Sequence, residues 1–200
     1  MNPWKTVWIV LVGSLVWPAL SSAQVGIDCA TTQDVGYVEG VSYDICLIKL
    51  GGEPIAYEAG CAFYQMAQAA FADGIVLEVS SGFRTNDLQQ YFYDCMISGA
   101  CNNGNPAADP GYSKHQSGLA IDVKLHDLCP KYTPVSVCLE KSDIFAWLHA
   151  NANDFGFEMT FTPECWHWVY QGGGPAGCPC EGCEPGCNGT KIIDLSLIHI

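Results

Sequence analysis

Two short stretches of the chain carry the side chains best suited to hold a metal ion and move a proton. The first is Ser113-Lys114-His115-Gln116-Ser117-Gly118-Leu119-Ala120-Ile121-Asp122, and the second is Pro163-Glu164-Cys165-Trp166-His167-Trp168. A catalytic zinc ion (Zn2+) takes three nitrogen or oxygen ligands and keeps one position open for water. Gly118 lets the chain turn from the loop that holds His115 into a strand, from which Asp122 can point back at the same ion. His167, on a neighbouring strand, completes a His-Asp-His set. Glu164, three residues earlier, is then close enough to take a proton from metal-activated water without itself ligating. Either pair alone reads as ordinary surface groups. The two together, in a chain with only 14% charged residues, read as a hydrolytic metal site.

Arg84 is the only arginine of the sequence and follows an apolar run in Ser80-Ser81-Gly82-Phe83-Arg84. Its guanidinium fork suits a substrate carboxylate or a developing oxyanion. A salt bridge to one of the many acids fits the spacing equally well. Gln89, one turn into the next helix, is placed to face the same cleft.

Four sections must position these residues. Residues 24–53 hold short β-like runs, glycine turns, Cys29 and Cys46. Ala56 to Ala72 has apolar residues at helical spacing (Ala59, Phe63, Met66, Ala70) and ends at Asp73-Gly74. Ile75 to Val79 reads as a buried strand, and Asn86 to Ile97 as a helix capped by Asn86 with Gly99 beyond its end. After a loop rich in Asn, Gly and Pro, Leu119 to Leu125 returns to strand composition. Ser142 to Asp154 is a capped helix stopped by Gly156. Phe157 to Phe161 and Trp166 to Tyr170 form a last pair of strands. Helices and short strands intermix without regular alternation, which predicts an α+β fold with a small, mainly antiparallel sheet flanked by helices.

At these residues the chain resembles the VanY-type zinc D-alanyl-D-alanine carboxypeptidases, over about Ala56 to Tyr170. The likeness rests on Ser-Gly-Phe-Arg84 with Gln89, on the S-x-H-x-x-G-x-A-x-D string ending at Asp122, and on the E-x-W-H string ending at His167. The resemblance implies that His115, Asp122 and His167 bind zinc and that Glu164 is the general base and later the acid. It further implies that Arg84 stabilises the polarised carbonyl, with Gln89 and Ser113 helping to hold substrate. The expected substrates are peptidoglycan stem peptides or their fragments, from which a terminal D-amino acid leaves. The same fold serves L-alanyl-D-glutamate endopeptidases and the hedgehog signalling domain, so a wall-lytic endopeptidase and a silent binding module remain alternatives. A silent module has no need of Glu164. Rival catalytic strings (S-x-x-K, G-x-S-x-G, H-E-x-x-H) do not occur. Where the family has a small residue or proline, this chain has Cys165, which is expected to be disulfide-bonded.

Composition bounds the remaining choices. The 200 residues carry 8 basic and 21 acidic side chains, a net charge of −13, which excludes a nucleic-acid binder. An apolar share of 49% excludes disorder. Twelve cysteines predict an oxidising, extracellular or periplasmic compartment. Lys5 is the only charge in residues 1–23, and a short apolar run closed by Pro18 precedes Ser21-Ser22-Ala23. A secretory signal cleaved after Ala23 is therefore expected, and no membrane span in the mature protein, which should act as a monomer. The carboxypeptidase-like domain is then 24–170, with 171–200 a Gly-rich linker and a Cys-rich tail that carries the sequon Asn188-Gly189-Thr190. The closing Leu195-Ser-Leu-Ile-His-Ile200 matches a translated sequencing adapter, so the natural end is expected to be missing. Cys95 with Cys101 and Cys129 with Cys138 are the expected local disulfides, and the four tail cysteines are expected to pair among themselves. His126 and His149 are expected to be solvated. The acidity is unusual for an enzyme that must approach an anionic wall, which suggests small released peptides as substrate.

Overall fold

A computed structural model describes residues 25–125, 127–175 and 177–178 of the chain. The expected signal segment, His126 and residues 179–200 lie outside the described residues. The fold is α+β, as the mixed pattern predicts, but it is built on two antiparallel sheets. In the first, strands β1 (Ile27–Val38), β2 (Val41–Leu50) and β3 (Glu53–Ala56) lie in sequential order. The second contains β4 (Val79–Ser81), β5 (Ala120–Val123), β6 (Phe157–Glu158) and β7 (His167–Tyr170), in the order β4-β5-β7-β6.

The N-terminal section is more regular than its sequence suggests. β1 and β2 pair as a long hairpin closed at Glu39-Gly40, both at positive φ (50° and 79°). Cys29 and Cys46, one on each strand, are both disulfide-bonded. Helix α1 (Tyr57–Ala72) buries Ala59, Phe63, Met66 and Ala70, the stripe its spacing predicts. Its end at Asp73, followed by Gly74 at φ 83°, matches the stop signal. Phe63 meets Phe157 edge to face at 5.8 Å, which joins α1 to the second sheet.

Several boundaries differ from expectation. Only Val79–Ser81 forms a strand where Ile75 to Val79 was expected, because pairing with β5 begins at Val79. Leu77 is buried all the same, so apolar composition marks burial here rather than pairing. Helix α2 (Asn86–Ser98) is capped by Thr85, whose hydroxyl accepts from Leu88 N, and not by Asn86. The Asn86 amide oxygen instead accepts from Gln116. Gly99 ends the helix in the left-handed region (φ 64°), as predicted. Helix α3 (Val135–Lys141) lies in a stretch with no helical expectation, and α4 (Asp143–Asn151) starts at the Ser142 cap. No helix among the described residues is long and apolar enough to cross a membrane.

The disulfides divide in the same way. Cys95–Cys101 and Cys129–Cys138 form the two expected local loops. Cys178 does not pair within the tail: it bonds to Cys61 on α1, 117 residues away. The segment after β7 runs back along α1, where Gln65 Nε2 donates to Gly177 O at 2.8 Å, so the supposed linker is packed on the domain. Cys165 is a buried free thiol, contrary to expectation. Its two nearest candidates, Cys129 and Cys138, have paired with each other.

Candidate metal centre

Sheet register assembles the metal set. β5 and β7 are antiparallel with Asp122 opposite His167, and Ser81 of β4 lies opposite Asp122 on the other side. Backbone bonds from Val123 N to Trp166 O and from Tyr170 N to Leu119 O extend the ladder at both ends. A one-residue slip would send Asp122 or His167 to the opposite face, so the pairing itself fixes which side chains converge.

His115 comes from a 3-10 turn, Lys114–Ser117, closed by Gly118 at φ 67°. A Cβ at Gly118 would press on Ile45 and Ala56, so glycine is required by both backbone angle and space. His115 Nδ1 lies 2.7 Å from Gly82 O. A carbonyl only accepts, so Nδ1 carries a proton and Nε2 is the nitrogen turned to the site. Arg84 N donates to His115 O at 3.0 Å, which ties this turn to the segment after β4.

His115 Nε2 is 3.4 Å from Asp122 Oδ1, and His167 Nδ1 is 2.9 Å from the same oxygen. The three ligand atoms lie within 4.8 Å of one another. Ligands about 2.0–2.1 Å from a tetrahedral zinc ion stand about 3.3 Å apart, so the set fits such an ion. Burial alone would raise the Asp122 pKa, but hydrogen bonds and charge from His115 and His167 outweigh it and hold the carboxyl well below the usual range. A carboxylate at this position is therefore ionised and ready to ligate.

Glu164 sits in the turn before β7 and lines an open cleft of about 810 Å3 together with Arg84, Ser113 and the metal set. It is partly exposed (24%) and pairs with Lys131 Nζ at 2.6 Å. Lys131 was not anticipated from sequence: it lies nine positions after Asp122 and belongs to no motif. The one available signal was the short Cys129-to-Cys138 loop that contains it. That loop is held to the Glu164 turn by Tyr132 N donating to Pro163 O at 2.9 Å.

Arg84 also lines the cleft and stacks over the Phe92 ring at 4.8 Å. Burial lowers its pKa, opposed by the charges of Asp122 and Glu164. Its Nη1 donates to Gln89 Oε1 at 2.9 Å, and Gln89 Nε2 donates to Ala108 O at 2.7 Å. Gln89 is fully buried, so it stands behind Arg84 and orients the guanidinium instead of facing the cleft as expected. Ser113 is at the cleft wall. His149 is exposed on α4, away from the cleft lining, in line with expectation.

Cys165 sits between Glu164 and the metal strand but turns away from both. Its thiol donates to Cys129 O at 2.9 Å, and burial pushes its pKa up to about 11. It therefore stays protonated near neutral pH and does not offer a competing thiolate ligand.

Comparison with known proteins follows the same residues. The family model described as "VanY: D-alanyl-D-alanine carboxypeptidase" matches residues 53–173, well over half of the chain. A D-alanyl-D-alanine carboxypeptidase of Enterococcus faecalis (strain ATCC 700802 / V583) is 28% identical over 152 residues, covering 65% of this chain and 53% of that protein. The putative carboxypeptidase YodJ of Bacillus subtilis (strain 168) is 29% identical over 142 residues, covering 62% and 49%. The chain thus spans about half the length of the curated relatives it matches. Among solved structures, VanYB in complex with D-alanine-D-alanine superposes with a TM-score of 0.51 at 28% identity, covering 65% of this chain and 79% of that one. A mutant of the vancomycin resistance D,D-pentapeptidase VanY from a VanB-type cassette, in complex with Zn(II), gives 0.50 at 27% identity, with coverages of 68% and 83%. The matched span contains the His-Asp-His set, Glu164 and Arg84, and over it the chain belongs to the VanY family of D-alanyl-D-alanine carboxypeptidases.

Proposed function

We propose that the protein is a zinc-dependent D,D-carboxypeptidase that removes the terminal D-alanine, or a similar D-amino acid, from peptidoglycan stem peptides. The observation that carries this reading is the convergence of His115 Nε2, Asp122 Oδ1 and His167 Nδ1 beside Glu164 in one open cleft. These three residues would hold the ion, and His115 is already oriented by Gly82 O. When bound, zinc supplies a Lewis acid that polarises the peptide carbonyl and lowers the pKa of water.

The chain's own groups do the rest. Glu164 accepts a proton from the attacking water and returns it to the leaving amine. Lys131 holds the Glu164 carboxylate in position through its ion pair. Arg84, kept in place by Gln89 and Phe92, faces the negative charge that develops on the carbonyl oxygen. Ser113, on the cleft wall, is placed to hold the substrate backbone. We also place the protein outside the cytoplasm after removal of residues 1–23; bonded cysteines throughout the domain support that compartment.

Incubating the oxidised, zinc-loaded protein with a peptide ending in D-alanyl-D-alanine, with and without chelator, tests the reading. One equivalent of free D-alanine is expected, and none after chelation. Release of a larger fragment would assign an endopeptidase, and no cleavage of any stem peptide would remove the peptidase reading.

A further inference from the structure

Two parts of the chain lie outside the family match at 53–173: the β1–β2 hairpin before it and the cysteine-rich segment after it. Cys29 on β1 and Cys46 on β2 are both disulfide-bonded, yet the strand register keeps them from bonding each other. Asp28 stands opposite Lys49 and Gln33 opposite Cys46, with an irregularity between these pairs. Cys29, next to Asp28, is therefore two to three residues along the ladder from Cys46. At about 3.4 Å per residue along a strand and about 5 Å between strands, their Cα atoms stand about 8–11 Å apart, whereas a disulfide needs less than about 7 Å. Cys61–Cys178, Cys95–Cys101 and Cys129–Cys138 are bonds already made, and Cys165 is a free thiol. The sulfurs left in the sequence are those of Cys180, Cys183 and Cys187.

The chain brings those sulfurs to the hairpin by way of α1. Cys178 is fixed to Cys61, and Gln65 Nε2, one turn further along the helix, donates to Gly177 O at 2.8 Å. Next to Cys61, Gly60 faces β2 so closely that a Cβ there would lie 2.7 Å from Ile48 Cδ1. Strand alternation puts Cys46 on the face of Ile48 and Leu50, and Ile27, opposite Leu50, gives Cys29 the same face. Both cysteines are half-buried, on the side of the first sheet that α1 covers. From Cys178 an extended chain reaches about 7 Å to Cys180, about 17 Å to Cys183 and about 31 Å to Cys187. We propose that residues 179–187, outside the described residues, dock on this face and bond through two of those three cysteines to Cys29 and Cys46. Each bond forms as two thiols lose two protons and two electrons to a disulfide-bearing oxidant, which becomes a dithiol. The bonds clasp the two flanks of the family domain to each other. The hairpin held in this way is the one whose tip rests beside the metal set. Gly40 N donates to Gly111 O at 3.0 Å, and the Tyr43 hydroxyl donates to Ser117 O at 2.9 Å, two residues from His115.

Peptide mapping of the oxidised full chain, without reduction, tests the clasp. Cleavage after Glu39 parts Cys29 from Cys46, and cleavage after Glu181 parts Cys180 from Cys183 and Cys187. Mass spectra should show Cys29 and Cys46 each joined to a tail peptide, and those masses should vanish on reduction. A Cys29–Cys46 bond would overturn the proposal. So would two of Cys180, Cys183 and Cys187 bonded to each other, or a hairpin cysteine bonded to a second chain in a non-reducing dimer. The map is read on the unaltered chain, so it stands whether or not a variant folds. In the Cys29→Ser, Cys46→Ser double variant, amide hydrogens of β1 and β2 should exchange about tenfold faster, while those of β5 and β7 keep their rates. Unchanged exchange in the hairpin would overturn its bracing by the tail.

Discussion

The floor of the cleft and its rim are built by different means. On the floor, Asp122 and His167 face each other across two hydrogen-bonded strands, and His115 is locked by a backbone carbonyl. On the rim, Glu164 is held by an ion pair to Lys131, whose loop is closed by the Cys129–Cys138 bond, and Arg84 is held by Gln89. On the proposed function, metal geometry is thus set by backbone register, whereas proton and charge handling depends on side-chain pairs. The two should separate under mutation: floor variants lose the ion, rim variants keep it and lose rate.

The largest expected effect is on the floor. Asp122→Ala removes the carboxylate that touches both histidines. It should abolish stoichiometric zinc, measured by atomic absorption after desalting, and turnover with it. Retention of full zinc would show that the histidines suffice and would break the floor-and-rim division.

Next comes Arg84→Ala, expected to lower kcat about 10²- to 10³-fold with zinc content unchanged. Loss of metal in that variant would make Arg84 part of the floor.

Removing the Cys129–Cys138 bond by double serine substitution should cost about 2–3 kcal/mol by chemical denaturation. It should also lower kcat, because Lys131 and Tyr132 lose their anchor beside Glu164, while zinc content holds. Lys131→Met should lower kcat by less, about tenfold, since it frees the Glu164 carboxylate without removing it. An unchanged kcat in both would detach Lys131 from the reaction. At the small end, Tyr43→Phe deletes one hydrogen bond from the hairpin to Ser117 and should cost about 1 kcal/mol of stability with zinc content unchanged.

The same division explains what could be read from the sequence. Floor residues lie in two compact strings, because strand partners need only a turn glycine and a period of two to converge. Gly118 and the Asp122–His167 pair are legible for that reason. Helix α1 was legible because its buried stripe follows a single period. The rim was only half legible. Glu164 is three residues from a ligand, but Lys131 reaches it through a loop whose course depends on a disulfide and on Tyr132 at φ 67°. Gln89 shows the same limit: its position one turn into the helix after Arg84 was visible, but its burial behind the guanidinium depends on Ala108 in a distant loop. Cys165 failed for a related reason, since cysteine counting says nothing about which neighbours pair first. The Cys61–Cys178 bond joins segments 117 residues apart, and no local pattern could have foretold it.

The division of labour itself is tested most directly by Glu164→Ala, measured for zinc content and for D-alanine release on one preparation. One zinc per chain is expected, as in the wild type, with turnover lowered about 10²- to 10⁴-fold. Zinc lost together with activity, or activity retained with zinc in place, would contradict it.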